Sequence, residues 1–184
     1  MDQSTTANFK ASDILYMAPK TVTPSENNTS IEVNVAHLMS KLVISIESEN
    51  EVSGVKVSGT YKQRNFMPTA IDENERWGRL EAPDDIIACK DETTNNYEVI
   101  LVPQDVESGK FSVSFTAGEK NYKWTSTNPI TLQSGKIHNL ALKVVGDDDP
   151  DSDLHAISMS FKVANWPTET VTLGDTTNDV VVVE

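Results

Sequence analysis

Disulfide chemistry is the first thing this chain lacks. One of its 184 residues is cysteine, Cys89, so no intrachain disulfide can form. The setting Ile86-Ile87-Ala88-Cys89 reads as a strand, where a free cysteine is a small buried hydrophobe. A reactive thiol needs a neighbouring base or cation, and only Lys90 is adjacent. Long apolar runs are also missing: none approaches the ~20 residues of a membrane span. Met1-Asp2-Gln3-Ser4 opens polar, without the basic and apolar regions of a signal peptide. That is expected of a cytoplasmic chain or of a mature or trimmed one.

Positive charge is scarce. Lys plus Arg number 15 against 28 Asp plus Glu, for a net charge of −13. Such a surface repels phosphate backbones and anionic lipid, which excludes nucleic acid as the expected partner. It also opposes edge-to-edge pairing of strands. Catalytic signatures are missing as well. His37, His138 and His155 stand in no zinc-type spacing with one another or with Cys89. No nucleophile elbow, phosphate-cradling loop or dinucleotide fingerprint is present. No two carboxylates are singled out as a glycosidase pair. The expectation is a protein that is not an enzyme and carries no cofactor.

What the chain has is alternation. Ile31, Val33 and Val35 alternate with polar residues, as do Leu42, Ile44 and Ile46. Val55 and Val57 lead to Tyr61, and Phe111, Val113 and Phe115 oppose Ser112, Ser114 and Thr116. His138, Leu140, Leu142 and Val144 form another series, as do Ile157, Met159, Phe161 and Val163. This period of two marks strands with one buried face, and helical periodicity is almost absent. Ser53-Gly54, Ser108-Gly109-Lys110, Ala117-Gly118-Glu119-Lys120 and Gln133-Ser134-Gly135-Lys136 supply turns. Phe111–Thr116 and Asn121–Trp124 read as a hairpin around Gly118. The pattern predicts an all-β, Greek-key β-sandwich. Residues 65–81 read as a long loop with a short strand at Trp77–Leu80. A polar stretch at Lys90–Asn96 offers a boundary between portions 1–90 and 91–184. One continuous sandwich is the favoured alternative, because neither portion alone offers many strands.

Four features merit weighing as sites. The acidic run Asp147-Asp148-Asp149-Pro150-Asp151-Ser152-Asp153 places Asp147, Asp149, Asp151 and Asp153 as weak calcium ligands. It lacks the mid-loop glycine and distal glutamate of an EF-hand, so a solvated loop is the plainer reading. Trp77, between Arg76 and Gly78-Arg79, is the tryptophan expected to be exposed and a candidate ligand contact. His138 falls on the apolar phase of its strand and reads as a core histidine. Last, Val180-Val181-Val182-Val183 before Glu184 is an intense strand signal at a chain end. It reads either as an edge strand of its own domain or as a donor strand completing another subunit's sheet.

Several segments in order resemble the fimbrillin-like proteins of Bacteroidales, the subunits and accessory proteins of type V pili. They are Ser12-Asp13-Ile14-Leu15-Tyr16, Ala36-His37-Leu38-Met39-Ser40-Lys41-Leu42-Val43-Ile44 and Val102-Pro103-Gln104. Tyr122-Lys123-Trp124, Leu132-Gln133-Ser134-Gly135-Lys136 and Ile157 to Trp166 follow. The resemblance implies transthyretin-like β-sandwich modules and a role in adhesion or pilus building on the outer surface. Partners implied are other pilin subunits or a second copy by strand exchange. A non-polymerising surface lipoprotein that binds a host protein or glycan through its loops is the alternative. The family's precursors are attached to the outer membrane through a lipidated cysteine near the start. They polymerise after an N-terminal strand is removed. No such cysteine stands here, and the chain opens where the family's early region is already under way.

Overall fold

Alternating apolar residues without helical spacing leave the backbone one economical way to satisfy its hydrogen bonds, which is cross-strand pairing. The computed structural model describes residues 2–19, 21, 30–69, 75–144 and 158–174. It begins with a one-and-a-half-turn helix, α1 (Thr6–Ala11), and then β1 (Leu15–Tyr16), β2 (Ser30–His37), β3 (Ser40–Glu47), β4 (Val52–Phe66) and β5 (Trp77–Ile87). Next come β6 (Cys89–Lys90), β7 (Tyr97–Leu101), β8 (Gln104–Val106), β9 (Ser112–Ala117) and β10 (Lys120–Thr125). Strands β11 (Ile130–Leu132), β12 (Lys136–Lys143), β13 (Ser158–Asn165) and β14 (Glu169–Gly174) complete the order.

Two sheets make the sandwich. One runs β13-β12-β3-β7-β6 and the other β10-β9-β4-β5. Strands from both sides of residue 90 contribute to each sheet. The centre of the larger sheet is β3. It pairs parallel with β12, in register from Lys136↔Ser40 to Lys143↔Glu47, and antiparallel with β7. A parallel neighbour cannot be reached by a hairpin, so the intervening strands cross to the second sheet and return. The β9–β10 hairpin turns at Gly118, whose φ of +63° suits glycine at the first central position.

Between the sheets lies the main core. Leu42, Ile44, Val99, Leu101, Leu140 and Leu142 point in from the larger sheet. Val55, Val57, Ile86, Val113 and Phe115 meet them from the smaller one, and Phe111 is completely buried at the rim. Each such side chain contributes about 1.5–3 kcal/mol on burial. His138 sits on the inward phase, as its place in the alternation predicts, and is fully buried. The fold class read from the sequence, an all-β sandwich with almost no helix, is the observed one.

The long loop expected at residues 65–81 is different. Strand β4 continues to Phe66 and β5 starts at Trp77, paired through Gln63↔Glu81, Arg64↔Leu80 and Phe66↔Trp77. Its other neighbour, β9, accompanies β4 only as far as Ser58. Beyond that point the ribbon has two strands and burial still alternates, but Thr60, Lys62 and Arg64 occupy the shielded phase before Phe66, so polar residues mask the period-2 signal although the ladder persists. The register shift between Val57 and Thr60 marks the departure. Gly59 is required there: its φ is +83°, and a Cβ would lie 1.9 Å from the Lys110 carbonyl oxygen.

A second, smaller cluster forms where the larger sheet is covered on its other face. Met39, Ile100 and Val102 are buried against Phe9, Trp77, Leu80 and Trp166. Strand β7 therefore buries both faces, Val99 and Leu101 toward one cluster and Ile100 toward the other, where Val102 just past its end joins it. Two small sheets, β1-β2-β14 and β11-β8, complete the architecture among the described residues.

Candidate functional site

The residues that assemble this end of the molecule are polar and close it through single side chains. Gln3 is fully buried. Its amide donates to the Ile100 carbonyl and accepts from the Ile100 N–H, both at 2.8 Å. Gln104 does the same for Tyr61, accepting from its N–H and donating to its carbonyl at 2.9 Å. A primary amide presents the same donor–acceptor pair as a peptide group, so each glutamine replaces one missing ladder partner. Strand β6 accompanies β7 only as far as Glu98, and β9 accompanies β4 only as far as Ser58; the two glutamines cap the edges of β7 and β4 left beyond those points.

Gln3 belongs to an N-terminal strap. Asp2 bridges to Ile87, Thr5 caps α1 by accepting from the Asn8 N–H, and Phe9 packs into the second cluster. Asp13 contacts His37 Nδ1 at 2.6 Å, and the His37 ring stacks on Trp166 with centroids 3.8 Å apart. Lys41 lies over Phe9 and Trp166 and pairs with Glu98 at 2.8 Å.

Trp77 opens β5 at the junction of the ribbon with the sandwich. It is half-buried, not freely exposed. The Arg64 guanidinium lies over the indole 5.5 Å from its centroid, and Phe66 stands 5.3 Å away. Arg64 Nε donates to the Gly78 carbonyl at 3.1 Å, and its Nη1 donates to the Pro103 carbonyl. Burial lowers the Arg64 pKa, and the negative charge of Asp105 opposes that effect; the guanidinium stays charged. Beside the indole is an open cleft of about 510 Å³, lined among others by Arg64, Trp77, Asp105, Thr131, Gln133 and Lys136. Trp77 also walls a second hollow of about 410 Å³ beneath the strap.

The remaining sequence candidates are distributed as follows. Val180, Val181, Val182 and Val183 lie outside the described residues, as do Asp147, Asp149, Asp151, Asp153 and His155. Among the described residues, no three His, Cys, Asp or Glu side chains stand together as metal ligands. Cys89 is buried, and that burial raises its thiol pKa. His138 Nε2 accepts from the Gln133 N–H at 3.1 Å, its ring stacks on Phe161, and desolvation lowers its pKa. Strand β13 has a neighbour on one side only among the described residues, and Val163 on it is 50% exposed.

Sequence reading did not single out Gln3, Gln104, Arg64 or Lys136. Two of them carried a signal: Gln104 follows Pro103, where the chain leaves β7, and Lys136 ends a recognised turn. Gln3 and Arg64 carried none.

The family model for fimbrillin-like proteins matches residues 1–166. No curated protein sequence matches the chain. Among solved structures, a cell adhesion protein from Bacteroides uniformis superposes with a TM-score of 0.54 at 15% identity, over 72% of this chain and 52% of that one. A cell adhesion protein from Bacteroides ovatus gives 0.52 at 14%, over 73% and 48%. The C-terminally truncated tip fimbrial protein Mfa3 from Porphyromonas gingivalis gives 0.50 at 10%, over 72% and 52%. At these identities the likeness is one of fold, and the chain spans about half the length of the structures it matches.

Proposed function

This chain belongs to the fimbrillin-like family, and from that premise we propose that it is a surface-exposed structural or adhesive subunit that joins a pilus by strand exchange. The family is a structural, non-enzymatic one, and its fimbrial and adhesion relatives support an extracellular, cell-surface location. In this reading Val180–Val183 of one subunit is the donor strand for another. Outer-membrane attachment belongs to the lipidated precursor alone.

One observation carries the reading. Strand β13 is eight residues long and is flanked on one side only among the described residues. Such an edge presents a row of backbone donors and acceptors to an incoming strand. Val163, cross-strand from the buried His138, shows half of its surface, and an added strand would cover it.

The test is a cysteine pair, Val163→Cys with Val181→Cys, in the full chain. A ladder of disulfide-linked multimers that needs both substitutions is the expected result. Multimers that form at the same rate without residues 178–184, or a chain that stays monomeric at every concentration, would overturn it. A second reading, a non-polymerising surface lipoprotein that binds glycan or host protein, is favoured by the cleft beside Trp77.

A further inference from the structure

Arg64 and Lys136 line one cleft, and among the described residues neither forms an ion pair with a carboxylate within 4.0 Å; Asp105 acts on Arg64 only at longer range. Arg64 is held by the Gly78 and Pro103 carbonyls and by the Trp77 face. Lys136 Nζ donates to the Asn165 side-chain carbonyl at 2.5 Å. All of these acceptors are neutral. Asp105 lines the same cleft, yet among the described residues no ion pair within 4.0 Å joins it to either cation. With 28 carboxylate side chains for 15 cations, this chain has acidic partners in excess. Two cations sharing a cleft on neutral acceptors therefore stand out.

We propose that this cleft binds a carboxylated sugar, with the carboxylate on Arg64 and Lys136 and the ring hydroxyls on Asp105 and Gln133. Arg64 is suited to the task because its two carbonyl contacts and the indole fix the guanidinium plane, leaving the other N–H groups of the fork for a bidentate anion. Lys136 adds a second charge. One Asp105 oxygen accepts from the Thr131 hydroxyl at 2.7 Å, and the carboxylate keeps acceptor capacity for a hydroxyl donor. An acidic sugar supplies both groups on one ring. An acidic peptide would bring more carboxylate against Asp105 with fewer hydroxyls to satisfy it. Trp77 thus acts as the wall that holds the arginine, not as an open stacking platform, because Arg64 and Phe66 already lie against it.

The inference rests on the adhesion reading of the family and is independent of strand exchange. Calorimetric titration of the full chain with an oligogalacturonate, and with its methyl ester, separates charge from sugar. Binding of the acid form, weakened by salt and absent for the ester, is expected. Lys136→Gln should weaken it about tenfold, the scale of one charged hydrogen bond, without lowering the melting temperature, and Arg64→Lys should weaken it at least as much. Lys136→Gln leaves the Arg64 contacts intact and so tests the site even where Arg64→Lys disturbs folding. Equal binding of the ester, no binding of the acid form, indifference to Lys136→Gln, or an oligoglutamate that binds as tightly would each overturn the inference. Failure to bind with multimerisation intact strikes this site alone; failure of both strikes the adhesion reading.

Discussion

The two apolar clusters on either side of strand β7 are built in opposite ways. The main core is closed by regular ladders whose side chains all obey the same period. The second cluster is closed by a strap, a ribbon end and individual polar side chains: Gln3 on Ile100, Asp13 on His37, and Arg64 on the Gly78 and Pro103 carbonyls. Removing one residue from the first kind of core leaves a cavity. Removing one from the second kind unlatches a segment. On these contacts, the face of β7 toward the main core is expected to hold the fold, and local opening is expected to begin on its other face.

The largest expected effect belongs to the main core. Phe111→Ala should cost about 3–5 kcal/mol, read from urea unfolding, because Phe111 is completely buried. Gln104→Ala should cost about 2 kcal/mol by leaving the Tyr61 N–H and carbonyl unpartnered, checked in the same assay. Gln3→Ala sharpens the contrast. It should abolish hydrogen-exchange protection of the Ile100 amide while leaving the amides of Leu42 and Ile44 protected. Equal loss at all three would show that both clusters open as one unit and would break the comparison.

A pH effect follows from His138. Burial lowers its pKa below 6.5 in the folded chain, so the unfolded chain takes up the proton first as pH falls. Its contribution is fully present above pH 6.5, declines as pH drops toward the folded value, and then levels off. His138→Leu should flatten that part of a stability–pH curve. The smallest effect is expected for Lys143→Ala. Its pair with Glu47, at 2.6 Å, is largely exposed, and a change within about 0.5 kcal/mol is expected by thermal melting.

Legibility followed the same division. Leu42, Ile44, Leu140 and Leu142 were readable as inward-facing because each sits in a strand with one wet face, and the Phe111–Trp124 hairpin was readable from its turn. The paired ends of β4 and β5 were not, because Lys62 and Arg64 occupy the half-buried phase of β4 and hide its alternation from an apolar–polar reading. The strap was not readable either. A six-residue helix carries less than two turns of pattern, and nothing local distinguishes a buried Gln3 from a solvated one. Trp77 reads as the exposed tryptophan of an irregular stretch, but it opens β5 opposite Phe66 and is half-buried, a placement that depends on Arg64 and Phe66.

Strand formation and the apolar face of most strands are written in the residue order, and the excess of acidic residues in the composition. Those properties are local, fixed by the geometry of a pleated backbone and by the sum of side-chain charges. It takes the folded chain to place β3 between β12 and β7, to bring glutamines 3 and 104 onto incomplete ladders, and to put Arg64 and Lys136 in one cleft. Those contacts join residues far apart in sequence, 97 positions for Gln3 and Ile100 and 43 for Gln104 and Tyr61. They exist because a twisted sandwich leaves particular edges short, and the chain fills each gap with whichever side chain the fold brings to it.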